Sequence, residues 1–309
     1  MKFAFTSLRD RCLATLCYFD LFDYPLTFGE LQSYFFGGMP GERDLQDFLA
    51  QQHDLIHHQD GFYFLKGRDL IVVSRGQNEK TSKEYWKKVR RFLPLIRFVP
   101  FIKMVGICNT LAINNASKDS DIDLFIVAKT GRLHFVRFLT TALFGLLGVR
   151  RHGQKIARRF CLSFFVDETA LNLEKIQDSA NDIYLPYWIL TMRPIYGSKT
   201  YVKFVYENAW ICKYFGRNFL ETVPLRRDFW KDNFLSFFAR LKEWLWRGKM
   251  GDFVEKKLGA LQMDRHQKNL PHLGAESSVV VSDHMLKFHN IDRRKEIAER
   301  FERKLHELL

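Results

Sequence analysis

The segment Asp119–Leu124 (Asp-Ser-Asp-Ile-Asp-Leu) constrains the fold more than any other part of the sequence. It begins an apolar run with the length and composition of a buried strand. Asp121 and Asp123 are two residues apart, so on a strand both side chains leave the same face. Ile122 and Leu124 then point to the other face, into a core. The pattern predicts a sheet strand whose first residues present two carboxylates together.

Two carboxylates on one face repel each other unless a cation lies between them. Hard divalent ions such as Mg²⁺ take oxygen ligands of this kind and keep waters or substrate phosphates in the rest of the shell. A metal held in this way neutralises a triphosphate and assists in-line attack at phosphorus. Asp121 and Asp123 are therefore the candidate catalytic residues and metal ligands, and Mg²⁺ is the candidate ion. The plainer interpretation is a solvated strand end.

The elements around this strand predict a compact α+β unit. The apolar run Phe101–Cys108 is typical of a buried strand, and Asn109–Ala112 begins a short helix. A mostly apolar helix is predicted over Arg132–Leu147, and a third strand over Phe160–Val166. The order strand, short helix, strand, helix, strand indicates a small mixed sheet with a helical face.

These residues resemble the nucleotidyltransferase superfamily, which has the DNA polymerase beta-like fold. The family pattern is a Gly-Ser pair, a spacer and then Ser-Asp-x-Asp on a strand. Ser120–Leu124 matches the second part, and the family spacing places Asn109–Ala112 at the first. The match covers residues 101–167. Over more of the chain, the arrangement is similar to bacterial nucleotidyltransferase-domain proteins that begin with a winged helix.

The resemblance implies metal-dependent transfer of a nucleoside monophosphate from an NTP to an acceptor. The acceptor is a protein, an RNA or a small molecule, and the sequence does not choose between them. Asp121 and Asp123 would bind the metal, and Asn109 with Thr110 would touch the triphosphate. The candidate nucleotide-binding residues are Asn109, Thr110, Ser120, Lys118, Arg132 and Arg137.

Two departures from the family pattern support an alternative. Asn109 replaces the glycine that lets a backbone approach phosphate closely, and Thr110 replaces the serine. The family's third carboxylate is expected within the third strand, where this chain has Ser163. Strand alternation puts Ser163 and Asp167 on the same face of that strand. Asp167 is thus a candidate catalytic residue, although a strand-end aspartate is usually a turn residue. The alternative is a catalytically impaired nucleotidyltransferase-like protein that acts by binding or regulation.

The distribution of charge favours a phosphate-bearing ligand. The net charge is +13 overall, with −4 in residues 1–70, +11 in residues 71–202 and +6 in residues 203–309. Arg137 lies within an apolar helix, which favours a specific partner. The cluster Arg150–Arg159 is equally well interpreted as a solvated loop or as a phosphate-binding segment.

The sequence as a whole predicts four regions. Residues 1–75 have the helix and hairpin order of a winged-helix domain, residues 76–100 form a basic connecting helix, residues 101–170 form the nucleotidyltransferase core, and residues 171–309 are helical. The predicted recognition helix and its flanks, Glu42–Asp54, carry one basic and four acidic side chains. Carboxylates are repelled by DNA phosphates, so the sequence argues against sequence-specific DNA binding.

The sequence predicts a cytoplasmic protein that is not an integral membrane protein. Its longest apolar run, Phe138–Val149, is shorter than the ~20 residues of a spanning helix. Its five cysteines form no Cys-x-x-Cys pair, which indicates free thiols in a reducing compartment. The aromatic stretch Trp230–Trp246 has helical spacing and fits either core packing or a membrane-surface helix.

Overall fold

The computed structural model describes residues 5, 7–179, 181–221, 242–269, 279–288 and 292–309. These residues form a mixed α+β structure with one three-stranded and one six-stranded sheet, which confirms the predicted α+β class. The predicted aromatic helix Trp230–Trp246 falls outside the described residues up to residue 241. All five cysteines are free, as the sequence predicts.

The N-terminal unit alternates helices with short strands. Its elements are α1 (Leu8–Asp20), β1 (Leu26–Thr27), α2 (Phe28–Ser33), α3 (Glu42–Ala50), β2 (Ile56–Gln59) and β3 (Phe62–Leu65), and the sheet order is β1-β3-β2. The predicted capping box begins α2: the Thr27 hydroxyl accepts from the Glu30 amide, and the Glu30 carboxylate accepts from the Thr27 amide. The predicted hairpin turns at Asp60 and Gly61, which both have positive φ.

The middle of the chain follows the predicted order closely. Its elements are α4 (Leu70–Phe92), a 3₁₀ helix (Leu93–Phe98), β4 (Ile102–Ile107), α5 (Asn109–Ala112), β5 (Ile122–Ala128), α6 (Leu133–Leu146) and β6 (Phe160–Asp167). The basic connecting helix predicted for residues 76–100 therefore corresponds to residues 76–92 of the longer helix α4 and to the 3₁₀ helix that follows it. The buried positions of α4 include Tyr85, Trp86 and Val89, which pack on the next elements.

The last part of the chain contains strands as well as helices, so the prediction of a helical region over residues 171–309 was incomplete. Its elements are 3₁₀ helices at Glu174–Ile176 and Ala209–Ile211, α7 (Tyr184–Thr191), β7 (Arg193–Tyr196), α8 (Ser198–Glu207), α9 (Cys212–Phe215), α10 (Asn218–Glu221), α11 (Lys249–Asn269), β8 (Val280–Val281), β9 (Met285–Lys287) and α12 (Arg294–Leu308). The three strands extend the sheet on both sides.

The six-stranded sheet has the order β7-β4-β5-β6-β9-β8. Only β5 and β6 are parallel, and the other neighbouring pairs are antiparallel. One face, with Phe125 and Phe164, shares a hydrophobic core with α7, α8, α12 and the N-terminal unit. The other face, with Ile126 and Phe165, packs against α4, α6 and α11. Because β5 and β6 are parallel and adjacent, the N-terminal ends of both strands lie at the same end of the sheet.

Candidate functional site

The two carboxylates of the Asp-x-Asp motif lie together at the start of β5. Asp121 immediately precedes the strand and its side chain is 16% exposed, while Asp123 is the second residue of the strand and is half-buried. The alternating residues Ile122 and Leu124 are buried in the hydrophobic core on the other face of the sheet. The alternation predicted from the sequence is therefore present, and it leaves both carboxylates on one face.

Cys161 is the third member of this group. It is the second residue of β6 and lies opposite Asp123 in the parallel pairing of the two strands. One ligand atom from each of Asp121, Asp123 and Cys161 lies within 4.8 Å of the other two. Sequence reasoning took Cys161 for an ordinary buried thiol. The signal available in the sequence was that Cys161, like Asp123, lies near the start of a predicted strand.

The structure places Asp167 away from this group, for a physical reason. The β5–β6 register shifts after the Asp123–Cys161 pair, so that Phe125 lies opposite Phe164 and one extra residue is accommodated in β6. The shift reverses the simple alternation, and Asp167 lies opposite Ala128 at the far end of the strand, on the other face from Asp123.

At that end Asp167 is fully buried and has its own partners. Its carboxylate accepts hydrogen bonds from the amide and hydroxyl of Thr169 and lies 2.9 Å from His284 Nδ1. Ser163 lies next to the group, since its hydroxyl accepts a hydrogen bond from the Cys161 thiol at 3.3 Å. Among the described residues, Cys161 is the third potential metal ligand beside the pair.

Asn109, which the sequence resemblance aligns with a glycine, has a left-handed backbone with φ of +57°. Asparagine is one of the few residues other than glycine that adopt this conformation readily. Its Nδ2 donates to Asp123 Oδ2 at 2.7 Å, and its Oδ1 accepts from the Tyr184 hydroxyl at 2.8 Å. Asn109 therefore links the acidic pair to α7 and holds the Asp123 carboxylate in place.

The electrostatics of the pair favour a cation. Burial, followed by the charge of Asp121, raises the pKa of Asp123 to about 6, and Asn109 and Arg151 oppose that rise. Two neighbouring carboxylates that are partly removed from water cannot both ionise without cost unless positive charge is supplied. A positive charge at this point would stabilise the doubly ionised form.

Arg151 supplies one such charge. Its Nη1 lies 2.5 Å from Asp121 Oδ2 and 3.8 Å from Cys161 Sγ. The side chain is 43% exposed, so it reaches the pair from the solvent side and has room to move. The sequence placed Arg151 in a basic cluster without a specific partner, and the structure gives it one.

The other candidate residues divide into a near and a far set. Thr110 begins the same short helix as Asn109, and Ser120 closes the turn before β5, where its hydroxyl accepts from the Ser117 amide at 2.9 Å. Lys118 lies exposed on that turn. Thr110 and Ser120 are thus the chain neighbours of Asn109 and Asp121, and Lys118 lies three residues before Asp121.

Arg132 and Arg137 form the far set, since they lie beyond the opposite end of β5 and on its other face. Arg132 Nη2 lies 2.7 Å from Asp252, and Arg137 donates to Gln262 Oε1 at 2.7 Å. Both partners belong to α11, which packs on α6. The structure does not bring these arginines to the acidic pair.

The donor set fits a divalent metal. Asp121 and Asp123 supply oxygen atoms, and Cys161 would supply a sulfur atom. Carboxylates alone suit Mg²⁺, whereas a thiolate favours borderline ions such as Zn²⁺ and Co²⁺. Burial raises the pKa of the Cys161 thiol well above its ordinary value, so only a bound metal would deprotonate it at neutral pH.

Among the described residues, no helix has both the length and the apolar character that are needed to cross a membrane. Comparison with known proteins found no matching family model, no matching curated protein and no matching solved structure.

Proposed function

We propose that this chain is a metal-dependent nucleotidyltransferase with a winged-helix N-terminal unit and a nucleotidyltransferase-type sheet. The observation that carries the proposal is the pairing of Asp121 and Asp123 on one face of β5, directly beside Asn109 in a left-handed conformation. The combination of a carboxylate pair with a tight backbone turn supports a site for a metal and phosphate oxygens.

In this proposal Asp121 and Asp123 would hold the metal, which would neutralise charge on the triphosphate of the NTP. The turn at Asn109 and Thr110 receives phosphate oxygens, and Lys118 adds positive charge at the entrance. A nucleophilic oxygen or nitrogen of the acceptor bonds to the α-phosphorus. The bond from that phosphorus to the bridging oxygen breaks, pyrophosphate leaves with the electron pair, and the nucleophile's proton passes to solvent.

Arg151 would change partners during this process. Its guanidinium pairs with Asp121, a role that a metal held by the two aspartates would take over. Since Arg151 is partly exposed, it is then free to pair with a phosphate oxygen, for which guanidinium geometry is well suited.

The proposal is tested by calorimetric titration of the full chain with each NTP in the presence of Mg²⁺ or Mn²⁺. We expect binding that requires the metal and that weakens at least about tenfold in Asp121→Asn and Asp123→Asn. Asp119→Asn is the matched control, because Asp119 is exposed in the same turn and outside the acidic group. Undiminished metal-dependent binding in both site variants would contradict the proposal.

A second function, binding or regulation without turnover, is favoured by one specific observation. Arg151 and Asn109, two groups of the chain itself, already engage both carboxylates. A chain that binds an NTP in these titrations but transfers nothing to any acceptor would support this second function.

A further inference from the structure

The outer surface of α6 is apolar, which is unusual for a helix that faces water. Its exposed positions follow the spacing of one helix face and carry no polar side chain: Phe138, Ala142, Gly145 and Leu146. Phe138 is 50% exposed and Leu146 is 90% exposed. The two ionisable side chains of α6, His134 and Arg137, instead contact Gln262 of α11. The solvent side of α6 therefore lacks the polar groups that a surface helix normally presents.

Helix α11, which packs on α6, is apolar on its outer side as well. Its inner side approaches α6 closely, since a Cβ atom built on Gly259 would lie 3.2 Å from the ring of His134. Large apolar side chains are exposed on α11 and just before its start: Trp244, Leu245, Met250, Phe253 and Leu261. We call these residues, together with Phe138 and Leu146, the apolar face.

Basic side chains accompany the apolar face. Residues 131–166 contain seven lysines and arginines and no acid, and five of the seven lie in residues 150–159, shortly after α6. The Arg150 amide donates to the Phe144 carbonyl at 3.1 Å, which keeps this segment at the end of α6 that carries Leu146. On α11 the exposed lysines are Lys249, Lys256 and Lys257.

The acids of the same region are engaged within the chain. Residues 242–264 contain five basic and four acidic side chains. Each of the four acids has a partner at 2.9 Å or less: Glu243 the Phe101 amide, Asp252 Arg132, Glu255 the His134 and Phe135 amides, and Asp264 Lys268. Together with residues 131–166 the region carries a net charge of +8. The charge that it presents to a partner is therefore positive.

The combination of apolar and positive groups separates the partners that could cover this surface. A second copy of the chain is disfavoured, because a symmetric dimer would bring the same positive face of both copies together. A nucleic acid would pair with the basic groups, but Leu146, Met250 and Leu261 offer no ring on which a base could stack. A bilayer with anionic headgroups satisfies both components at once.

We propose that the apolar face docks on an anionic lipid surface as a peripheral contact. The apolar side chains of α6 and α11 enter the boundary between headgroups and acyl chains. The basic groups of residues 150–159 and of α11 lie at the level of the lipid phosphates and carboxylates. The proposal does not depend on nucleotidyl transfer, because the apolar face contains neither Asp121 nor Asp123.

The test is cosedimentation of the full chain with vesicles at low ionic strength. One set of vesicles is phosphatidylcholine alone, and in the other about a third of the lipid is phosphatidylserine. We expect binding to the anionic vesicles to be at least about tenfold tighter than to the neutral ones, and to weaken as salt is added.

Two variants test the apolar part of the contact. Leu146→Asp and Leu261→Asp should each weaken binding to the anionic vesicles at least about tenfold, because each places a carboxylate where an apolar side chain would enter the lipid. Leu70→Asp is the matched control, since it adds the same charge at a leucine that is 82% exposed. Leu70 lies at the start of α4, where its neighbour Ile71 packs on Phe64 of the N-terminal unit.

The absence of binding to anionic vesicles, equal binding to both kinds of vesicle, or an equal loss in Leu70→Asp would each overturn the proposal. The comparison of the two lipids on the unmodified chain keeps the test decisive if a variant does not fold. A dimer in solution that Leu146→Asp dissociates would assign the apolar face to a second copy and overturn the proposal. Binding to a single-stranded oligonucleotide that Leu146→Asp weakens, without binding to vesicles, would assign it to nucleic acid.

Discussion

At the residue scale, Asp123 carries a cost in stability that the metal would remove. Its pKa is raised to about 6, mainly by burial, so the folded chain holds a proton there that the unfolded chain has already released between about pH 4 and 6. The contribution of this group to stability therefore falls as the pH rises through that window, and it stays low above pH 6. Such a cost is usual where a site is built to receive a cation.

We accordingly expect Asp123→Asn to stabilise the metal-free chain at neutral pH. The free energy of unfolding should rise by about 1–2 kcal/mol at about pH 7.5, a figure reduced from the full pKa shift because Asp123 is only half-buried. The gain should shrink towards zero near pH 4, where the unmodified Asp123 is protonated in both states. Chemical denaturation at the two pH values measures the difference, with Asp119→Asn as the control. A destabilised variant at both pH values would contradict this account of the pair.

The second prediction concerns Cys161 as a ligand of the metal. If the thiolate is a ligand, the Co²⁺-loaded chain should show the intense near-ultraviolet absorption of a sulfur-to-cobalt charge transfer. Cys161→Ser should lose that band, and Cys161→Asp should bind Mg²⁺ more tightly than the unmodified chain does. Cys17→Ser is the control, because Cys17 is buried in α1 and lies outside the acidic group. Co²⁺ binding of undiminished affinity without the band would exclude Cys161 as a ligand and leave the aspartates in place.

The acidic pair could be predicted from sequence because it depends on strand alternation within a few adjacent residues. Cys161 could not, because it reaches the pair through the register between β5 and β6, which the sequence does not encode locally. Arg151 could not either, because it comes from the segment between α6 and β6, about 30 positions from Asp121. Asp167 shows the same limit in reverse. A single extra residue in β6 moves it to the other face, and no pattern within the strand announces that shift.

At the element scale, the edge strand β7 depends on the approach of Gly197 to β4. Gly197 has φ of +84°, and a Cβ atom built there would lie 1.9 Å from the Lys103 carbonyl oxygen. The backbone of β4 therefore occupies the space that any side chain would need. β7 pairs with β4 immediately before this glycine, and α8 begins immediately after it.

Gly197→Ala should therefore destabilise the chain by more than the strain of a positive φ alone. Gly131→Ala is the matched control, because Gly131 has φ of +70° and a Cβ atom there would meet no other atom within 4 Å. We expect a loss of about 1 kcal/mol for the control and at least about 3 kcal/mol for Gly197→Ala, measured by thermal or chemical unfolding. Similar losses for both variants would mean that the close contact is not rigid.

The elements with strong local signals could be predicted, and the short edge strands could not. The capping box at Thr27, the hairpin at Asp60 and Gly61 and the long apolar runs of β4, β5 and β6 each carry their own pattern. By contrast, β7, β8 and β9 span only two to four residues, which is too short for an alternation of apolar and polar residues to be recognised. Their strand conformation comes from pairing with the sheet.

At the scale of the whole molecule, the N-terminal unit is packed into the same core as the sheet. Arg75 of α4 is only 3% exposed, with Nη2 2.9 Å from Glu30 and its guanidinium carbon 3.9 Å from the centre of the Tyr24 ring. The Tyr24 hydroxyl in turn donates to the Ile113 carbonyl at 2.6 Å, next to α5. These contacts connect the N-terminal unit to the segment next to Asn109, and Phe22 from the same unit lines a cavity that Asn109 also lines.

This arrangement gives the N-terminal unit a structural part in the proposed site. The acidic residues of α3, including Glu42, Asp44 and Asp47, are exposed, which is consistent with the charge argument against contact with DNA phosphates. The unit instead contributes Phe22 to the wall of a cavity that Asn109 also lines. The sequence predicted the elements of this unit but not its place, because the contacts join residues that are tens of positions apart.

The central claim, nucleotidyl transfer at Asp121 and Asp123, is tested most directly by following labelled phosphorus from each NTP in a cell lysate with Mg²⁺ or Mn²⁺. An NTP labelled at the α-phosphorus should pass its label to an acceptor, with release of pyrophosphate. The same NTP labelled at the γ-phosphorus should pass none, and Asp121→Asn or Asp123→Asn should abolish the α transfer. Transfer of the γ label, or α transfer that persists in both variants, would contradict the account.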